Sequence, residues 1–238
     1  MIGIEQNIAR VEERIAAACR RAGRRREDVR LVAVSKTVPP ERIREAYDAG
    51  LRDFGENRVQ EAEAKLPVLR ELDITWHMIG HLQTNKARSA RALFHWVQSL
   101  DSLRLAERLD RAPQAAEPGL LHSEETPLPV LIELNLGGEA SKSGVAEAAA
   151  LDLARAVSAL PNLSLRGLMT VPPVTDDAEG ARPYFARLRE FARVIDSARL
   201  PEVRMDELSM GMSHDFEVAV EEGATLVRVG SAIFGERT

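Results

Sequence analysis

Short apolar runs alternate with longer helical stretches along this chain, and that alternation leaves few folds open to it. Strands are read at 31–36, 52–56, 75–79, 96–100, 130–136, 163–169, 207–210 and 226–229. Helices are read between them, at about 40–49, 85–93, 103–111, 145–160, 180–197 and 215–221. A further one carries Val59, Ala62, Leu66 and Leu69 on one face and bends at Pro67. Only the last strand lacks a following helix. Alternating β and α elements imply parallel strands joined by right-handed crossovers. Eight such units in 238 residues match a closed (β/α)8 TIM barrel, with an open doubly wound sheet as the alternative. The expectation is one α/β barrel domain over residues 1–238.

Ahead of the first strand, Ile4, Ile8, Val11, Ile15 and Ala18 recur at steps of four and three, which marks an extra amphipathic helix stopped at Gly23. Arginines crowd between Arg20 and Arg26 and are read as a solvated helix end rather than a phosphate patch. The stretch 112–129, with four prolines, is read as a long loop before the fifth strand.

Aromatic residues make up 4% of the chain and the net charge is -5, which argues against an extended nucleic-acid groove. The lone Cys19 rules out an internal disulfide and is expected to be a small packing residue. The N-terminus is charged too evenly for a signal peptide, and no apolar run is long enough to span a bilayer. The expected location is the cytoplasm, with no membrane and no nucleic-acid partner.

Barrel chemistry sits at the carboxyl ends of the strands. The first strand, Leu31-Val32-Ala33-Val34-Ser35-Lys36, ends in a lysine that must meet an anion, snorkel to water, or act as an amine nucleophile. Alone, it reads as a snorkelling lysine. The seventh strand runs into Ser209-Met210-Gly211-Met212-Ser213 and the eighth into Arg228-Val229-Gly230-Ser231. Small residues and hydroxyls on adjacent turns let backbone N–H groups approach a phosphate. A lysine beside a phosphate site suits pyridoxal phosphate, and equally a Schiff-base aldolase acting on a phosphorylated sugar. Arg228 should point the same way along its strand as Gly230. An arginine facing a pyridine nitrogen would donate to it, keep it unprotonated and weaken the ring as an electron sink.

The segments AVSKT, FGENRVQE, WHMIGHLQTNK, SKSG, LSMGMSHD and VRVGSAIFG, in this order and spacing, closely resemble the pyridoxal phosphate homeostasis proteins. The resemblance runs from about Leu31 to the C-terminus. It implies a barrel similar to the N-terminal domain of fold-type III enzymes such as alanine racemase. It further implies that Lys36 forms the Schiff base, that Asn57 lies beside the cofactor, and that Arg228 meets the ring nitrogen. Ser209, Gly230 and Ser231 would hold the phosphate, and Lys142 of SKSG would be a second lysine engaging the cofactor during transfer or release. His77 is expected to be packed or hydrogen-bonded, and His81 stands at a position not recognised as fixed in the family.

The implied role is pyridoxal phosphate homeostasis, by buffering the cofactor or by transferring it to apo PLP-dependent enzymes, without turnover. Alanine racemase completes its site with a second domain carrying a catalytic tyrosine. Here the sequence stops at Thr238, soon after Ser231, and Tyr47 and Tyr184 fall on helices away from the expected mouth. A small PLP-dependent amino-acid racemase or related enzyme is the alternative. Five histidines and one cysteine show no metal-ligand spacing, and a monomer is expected.

Overall fold

The apolar runs form eight strands: β1 (Arg30–Val34), β2 (Asp53–Glu56), β3 (Thr75–Met78), β4 (Trp96–Leu100), β5 (Leu128–Leu134), β6 (Leu163–Thr170), β7 (Glu207–Ser209) and β8 (Leu226–Val229). The computed structural model describes residues 3–112, 126–139 and 143–235. Each strand pairs in parallel with the next, and β8 returns to β1 with Leu31 opposite Val227 and Val32 opposite Arg228. The sheet is therefore a closed barrel, not the open alternative.

Outside it lie α1 (Ile4–Arg21), α2 (Pro40–Asp48), α3 (Val59–Lys65), α4 (Ala87–Leu93), α5 (Leu103–Asp110), α6 (Glu147–Val157), α7 (Arg182–Ser197), α8 (Phe216–Glu221) and α9 (Ser231–Phe234). Pro67 falls in a single 3-10 turn that follows α3, which accounts for the expected bend. The short α9 was not expected from the sequence, because one helical turn is too short to show a period. None of the described helices is long and apolar enough to cross a membrane.

The leading helix buries Ile4, Ile8, Val11, Ile15 and Ala18 against the shell and contacts α8 and α9. Asn7 Nδ2 donates to the Ile233 carbonyl at 2.9 Å. The arginine run is largely paired: Arg21 with Glu221 at 2.6 Å, Arg26 with Glu12 at 2.6 Å, and Arg25 with Asp28 at 2.7 Å. Arg24 Nη1 donates to the Val220 carbonyl at 2.8 Å. These contacts tie α1 to α8 and to its own C-terminal turn.

Strand limits differ from expectation in two informative places. β1 stops at Val34, so Lys36 lies in the turn beyond the strand rather than on its last residue. β5 starts earlier than read and takes in Pro129, which is tolerated near a strand's start. Of the expected loop at 112–129, residues 113–125 lie outside the described residues. Inside the barrel, Val32, Leu131, Met169 and Leu226 form an apolar layer. Above and around it sit buried polar residues, among them His77, Gln98, Glu133, Thr170, Ser209 and Arg228.

Candidate functional site

Barrel closure brings the ends of β1, β2, β7 and β8 around a cavity of about 740 Å³. Lys36, Asn57, Arg228, Gly230 and Ser231 all line it, as do Arg42, Ser213 and His214. Five of the six residues read as cofactor-binding thus converge on one mouth, and Ser209 does not line it.

Lys36 reaches the cavity from a tight turn. The Val38 N–H donates to the Ser35 carbonyl at 2.9 Å and closes the turn, with Lys36 and Thr37 at its centre. Thr37 has φ 62, in the left-handed region where a β-branched residue is uncommon and must be held by its surroundings. Ser35 extends the pairing of β1 by one bond, its N–H donating to the Gly55 carbonyl at 3.0 Å.

Asn57, just past β2, is set by a close backbone contact. A Cβ at Gly80 would lie 2.4 Å from the Asn57 carbonyl oxygen, so only glycine fits there. Beside the end of β1, the N–H groups of Gly230 and Ala232 converge on Ser213 Oγ at 3.2 and 3.4 Å. Ser213 belongs to the turn after β7, which bends sharply at Gly211 (φ 88). A Cβ at Gly211 would lie 2.5 Å from the Ala219 Cβ.

Arg228 is buried and lines the cavity. Nη2 donates to the Thr170 carbonyl at 2.9 Å and Nη1 to Ser209 Oγ at 2.6 Å. From there a single file of hydrogen bonds crosses the barrel. Ser209 Oγ donates to Gln98 Oε1 at 2.6 Å, Gln98 Nε2 donates to His77 Nδ1 at 2.9 Å, and His77 Nε2 donates to Asp53 Oδ1 at 2.9 Å. The donor directions follow from the ends: guanidinium only donates and carboxylate only accepts, so every group between them is oriented. His77 is then a neutral ring with its proton on Nε2. Burial, the largest influence, pushes its pKa down, against the Asp53 hydrogen bond that raises it.

Ser209 therefore stands behind Arg228. It is fully buried, outside the cavity wall, and its hydroxyl is committed to Gln98 and Arg228. His77 is hydrogen-bonded in the interior, as read. His81 is half exposed, with Nδ1 3.0 Å from Asp101 Oδ2, and does not line the cavity. Neither Tyr47 on α2 nor Tyr184 on α7 lines it. Lys142 lies outside the described residues.

Burial dominates the electrostatics around Arg228. It pushes the Arg228 pKa down to about 10, with Glu133 and Asp215 opposing the shift. Glu133, on β5, is pushed up to about 7 by burial, and Arg228 only partly offsets this. Glu133 Oε2 is buried with no hydrogen-bond partner among the described residues. Asp215 is likewise raised by burial.

Sequence reasoning did not select Ser213, Arg42 or Gln98. Ser213 stood in the same quoted turn as Ser209, and its hydroxyl was the available signal. Gln98 gave none, since a glutamine in a buried strand has meaning only through its neighbours.

Residues 6–238 match the alanine racemase N-terminal domain family. Pyridoxal phosphate homeostasis proteins are similar along nearly the whole chain. That of Pseudomonas aeruginosa is 47% identical, covering 100% of this chain and 97% of its own length. That of Aquifex aeolicus is 46% identical, covering 98% and 97%. PipY of Synechococcus elongatus, solved with PLP bound, superposes with a TM-score of 0.79 at 42% identity, covering 94% of this chain and 100% of that one. Alanine racemase from Corynebacterium glutamicum shares the fold, with a TM-score of 0.66 at 18% identity over 95% of this chain and 61% of that one.

Proposed function

This chain belongs to the pyridoxal phosphate homeostasis protein family, and on that premise we propose that its mouth cavity holds pyridoxal phosphate on Lys36 as a Schiff base. The observation carrying this is the meeting of Lys36, Asn57, Arg228, Gly230 and Ser231 on one cavity. The donor set fits the cofactor: an amine and a buried guanidinium line the cavity, and at the Gly230 turn two N–H groups converge on the Ser213 hydroxyl oxygen. When bound, the cofactor supplies an aldehyde that captures amines and a pyridine ring that withdraws electrons.

The chain's own residues do the rest. Lys36 offers the amine, and Asn57 flanks it. Gly230 and Ser231, with the Ser213 hydroxyl, take the phosphate, while Ser209 holds Arg228 in place. Arg228, which can only donate, faces the ring nitrogen and keeps a proton off it. That weakens the ring as an electron sink and suits carriage of the cofactor better than carbanion chemistry.

The protein accordingly buffers pyridoxal phosphate and passes it to apo PLP-dependent enzymes, as a cytoplasmic monomer without turnover. Two features support that setting. Among the described residues, the exposed large hydrophobics Val68, Leu103, Val174 and Val194 are few and lie far apart along the chain. Cys19 is buried and free. A small amino-acid racemase or related enzyme is the second reading, favoured by His214, an exposed histidine on the cavity wall.

Titration with pyridoxal phosphate, borohydride reduction and peptide mapping test the site. The label is expected on Lys36 and absent in Lys36→Ala. Loaded protein should reactivate an apo-enzyme and leave L-alanine unracemised. Steady racemisation that Lys36→Ala abolishes would overturn the carrier role in favour of the enzyme.

A further inference from the structure

We propose that Glu61 and Lys65, on the outer helix α3, clamp the turn carrying Lys36 in the conformation that presents its amine to the cavity. The proposal rests on the reading of Lys36 as the cofactor lysine.

Both residues flanking Lys36 are held from α3. The Thr37 N–H donates to Glu61 Oε2 at 2.8 Å. Lys65 Nζ donates to the Ser35 carbonyl at 2.8 Å. That carbonyl already accepts the Val38 N–H, so the turn's closing oxygen is bound twice. The Ser35 hydroxyl donates to Glu56 Oε1 at 2.7 Å. Lys65 Nζ completes the set with Glu56 Oε1 at 2.9 Å and Glu61 Oε2 at 3.5 Å.

The ammonium has three protons, and Glu56, Glu61 and Ser35 take them all. An ion pair that merely joined α3 to β2 would have no need of the Ser35 carbonyl. Yet Glu56 Oε2 is buried without a partner among the described residues while one Lys65 proton goes to that carbonyl. Burying an ammonium is costly, and the Lys65 side chain is only 10% exposed. A lysine here could reach water at less cost by snorkelling.

Thr37 explains what the clamp holds. Its left-handed backbone is unfavourable for a β-branched residue, and relaxing it rotates the peptide that follows Lys36. The bond from Thr37 N–H to Glu61 opposes that relaxation. Apparent cofactor affinity scales with the fraction of molecules in the competent turn.

Lys65→Met would strand the buried Glu56 carboxylate and could unfold the protein, so the discriminating variants are Glu61→Ala and Glu61→Gln. Glu61 is partly exposed, and alanine suits a helix, so Glu61→Ala should keep the cofactor-free protein folded, with only a small fall in its urea midpoint. Amide exchange at Thr37 in that cofactor-free protein should quicken about tenfold, and pyridoxal phosphate should bind about tenfold more weakly. Glu61→Gln keeps an acceptor oxygen for Thr37 and should restore most of both. Wild-type affinity in Glu61→Ala, or weaker binding without faster Thr37 exchange, overturns the clamp alone. A wild-type chain that takes up no pyridoxal phosphate overturns the cofactor reading, and with it the clamp's role.

Discussion

Lys36 and Arg228 line the same cavity but are held by opposite means. The Lys36 turn lies beyond the end of β1 and depends on charges supplied by α3. Arg228 lies within β8 and depends on a file of neutral groups, Ser209, Gln98 and His77, that reaches Asp53 across the barrel. A strand fixes its side chains through sheet pairing, so Arg228 needs only orientation. A turn has no ladder on its outer side, and its conformation must be imposed. The difference teaches where each kind of support belongs: oriented dipoles inside the barrel, ion pairs where the backbone leaves it.

The largest effect should come from the ionic side. Lys65→Met leaves Glu56 buried without its countercharge, and urea unfolding should show a loss of about 3–5 kcal/mol. Pairing it with Glu56→Gln removes both charges and should recover most of that loss. If the double variant is as unstable as the single one, the network's worth lies in packing and the contrast between the two supports fails.

Next comes the countercharge of Arg228. The Glu133 pKa is raised from 4.5 to about 7, so between those values the folded chain binds more protons than the unfolded one. Wild-type stability should therefore fall as pH rises through that window. Glu133→Gln cannot ionise and should escape the fall. From about pH 5 to about pH 8 the variant should gain about 2.5 kcal/mol on the wild type. Parallel pH profiles would mean that Glu133 is ionised throughout as a committed partner of Arg228.

The smallest effect tests the neutral file. Gln98→Leu leaves His77 Nδ1 and Ser209 Oγ without their partner in a fully buried place. The expected cost is about 2 kcal/mol in urea unfolding. Binding of pyridoxal phosphate should weaken less than in Glu61→Ala, because the Thr170 carbonyl still holds Arg228.

Much of this was legible in the sequence because strand and helix periods are local. β4 and β8 fall where the apolar runs place them, and the barrel follows from their alternation. That Lys36, Asn57, Arg228, Gly230 and Ser231 border one cavity was legible because strand ends in a barrel share one mouth. The supports were not. The file behind Arg228 draws one side chain from each of β2, β3, β4, β7 and β8, and no spacing along the chain encodes that meeting. Ser209 shows the limit best. Its hydroxyl sits in a phosphate-like motif, yet strand alternation turns it inward to Gln98 and Arg228. The Lys36 clamp was hidden for another reason. Glu61 and Lys65 have the i,i+4 spacing of an ordinary surface pair, and only the fold brings that pair under a turn.

The most direct test of the whole account is a crystal structure of the protein loaded with pyridoxal phosphate. Density should run continuously from Lys36 Nζ, with the ring nitrogen facing Arg228 and the phosphate against Gly230, Ser231 and Ser213. A cofactor joined to another lysine, or one whose ring nitrogen turns away from Arg228, would contradict the account.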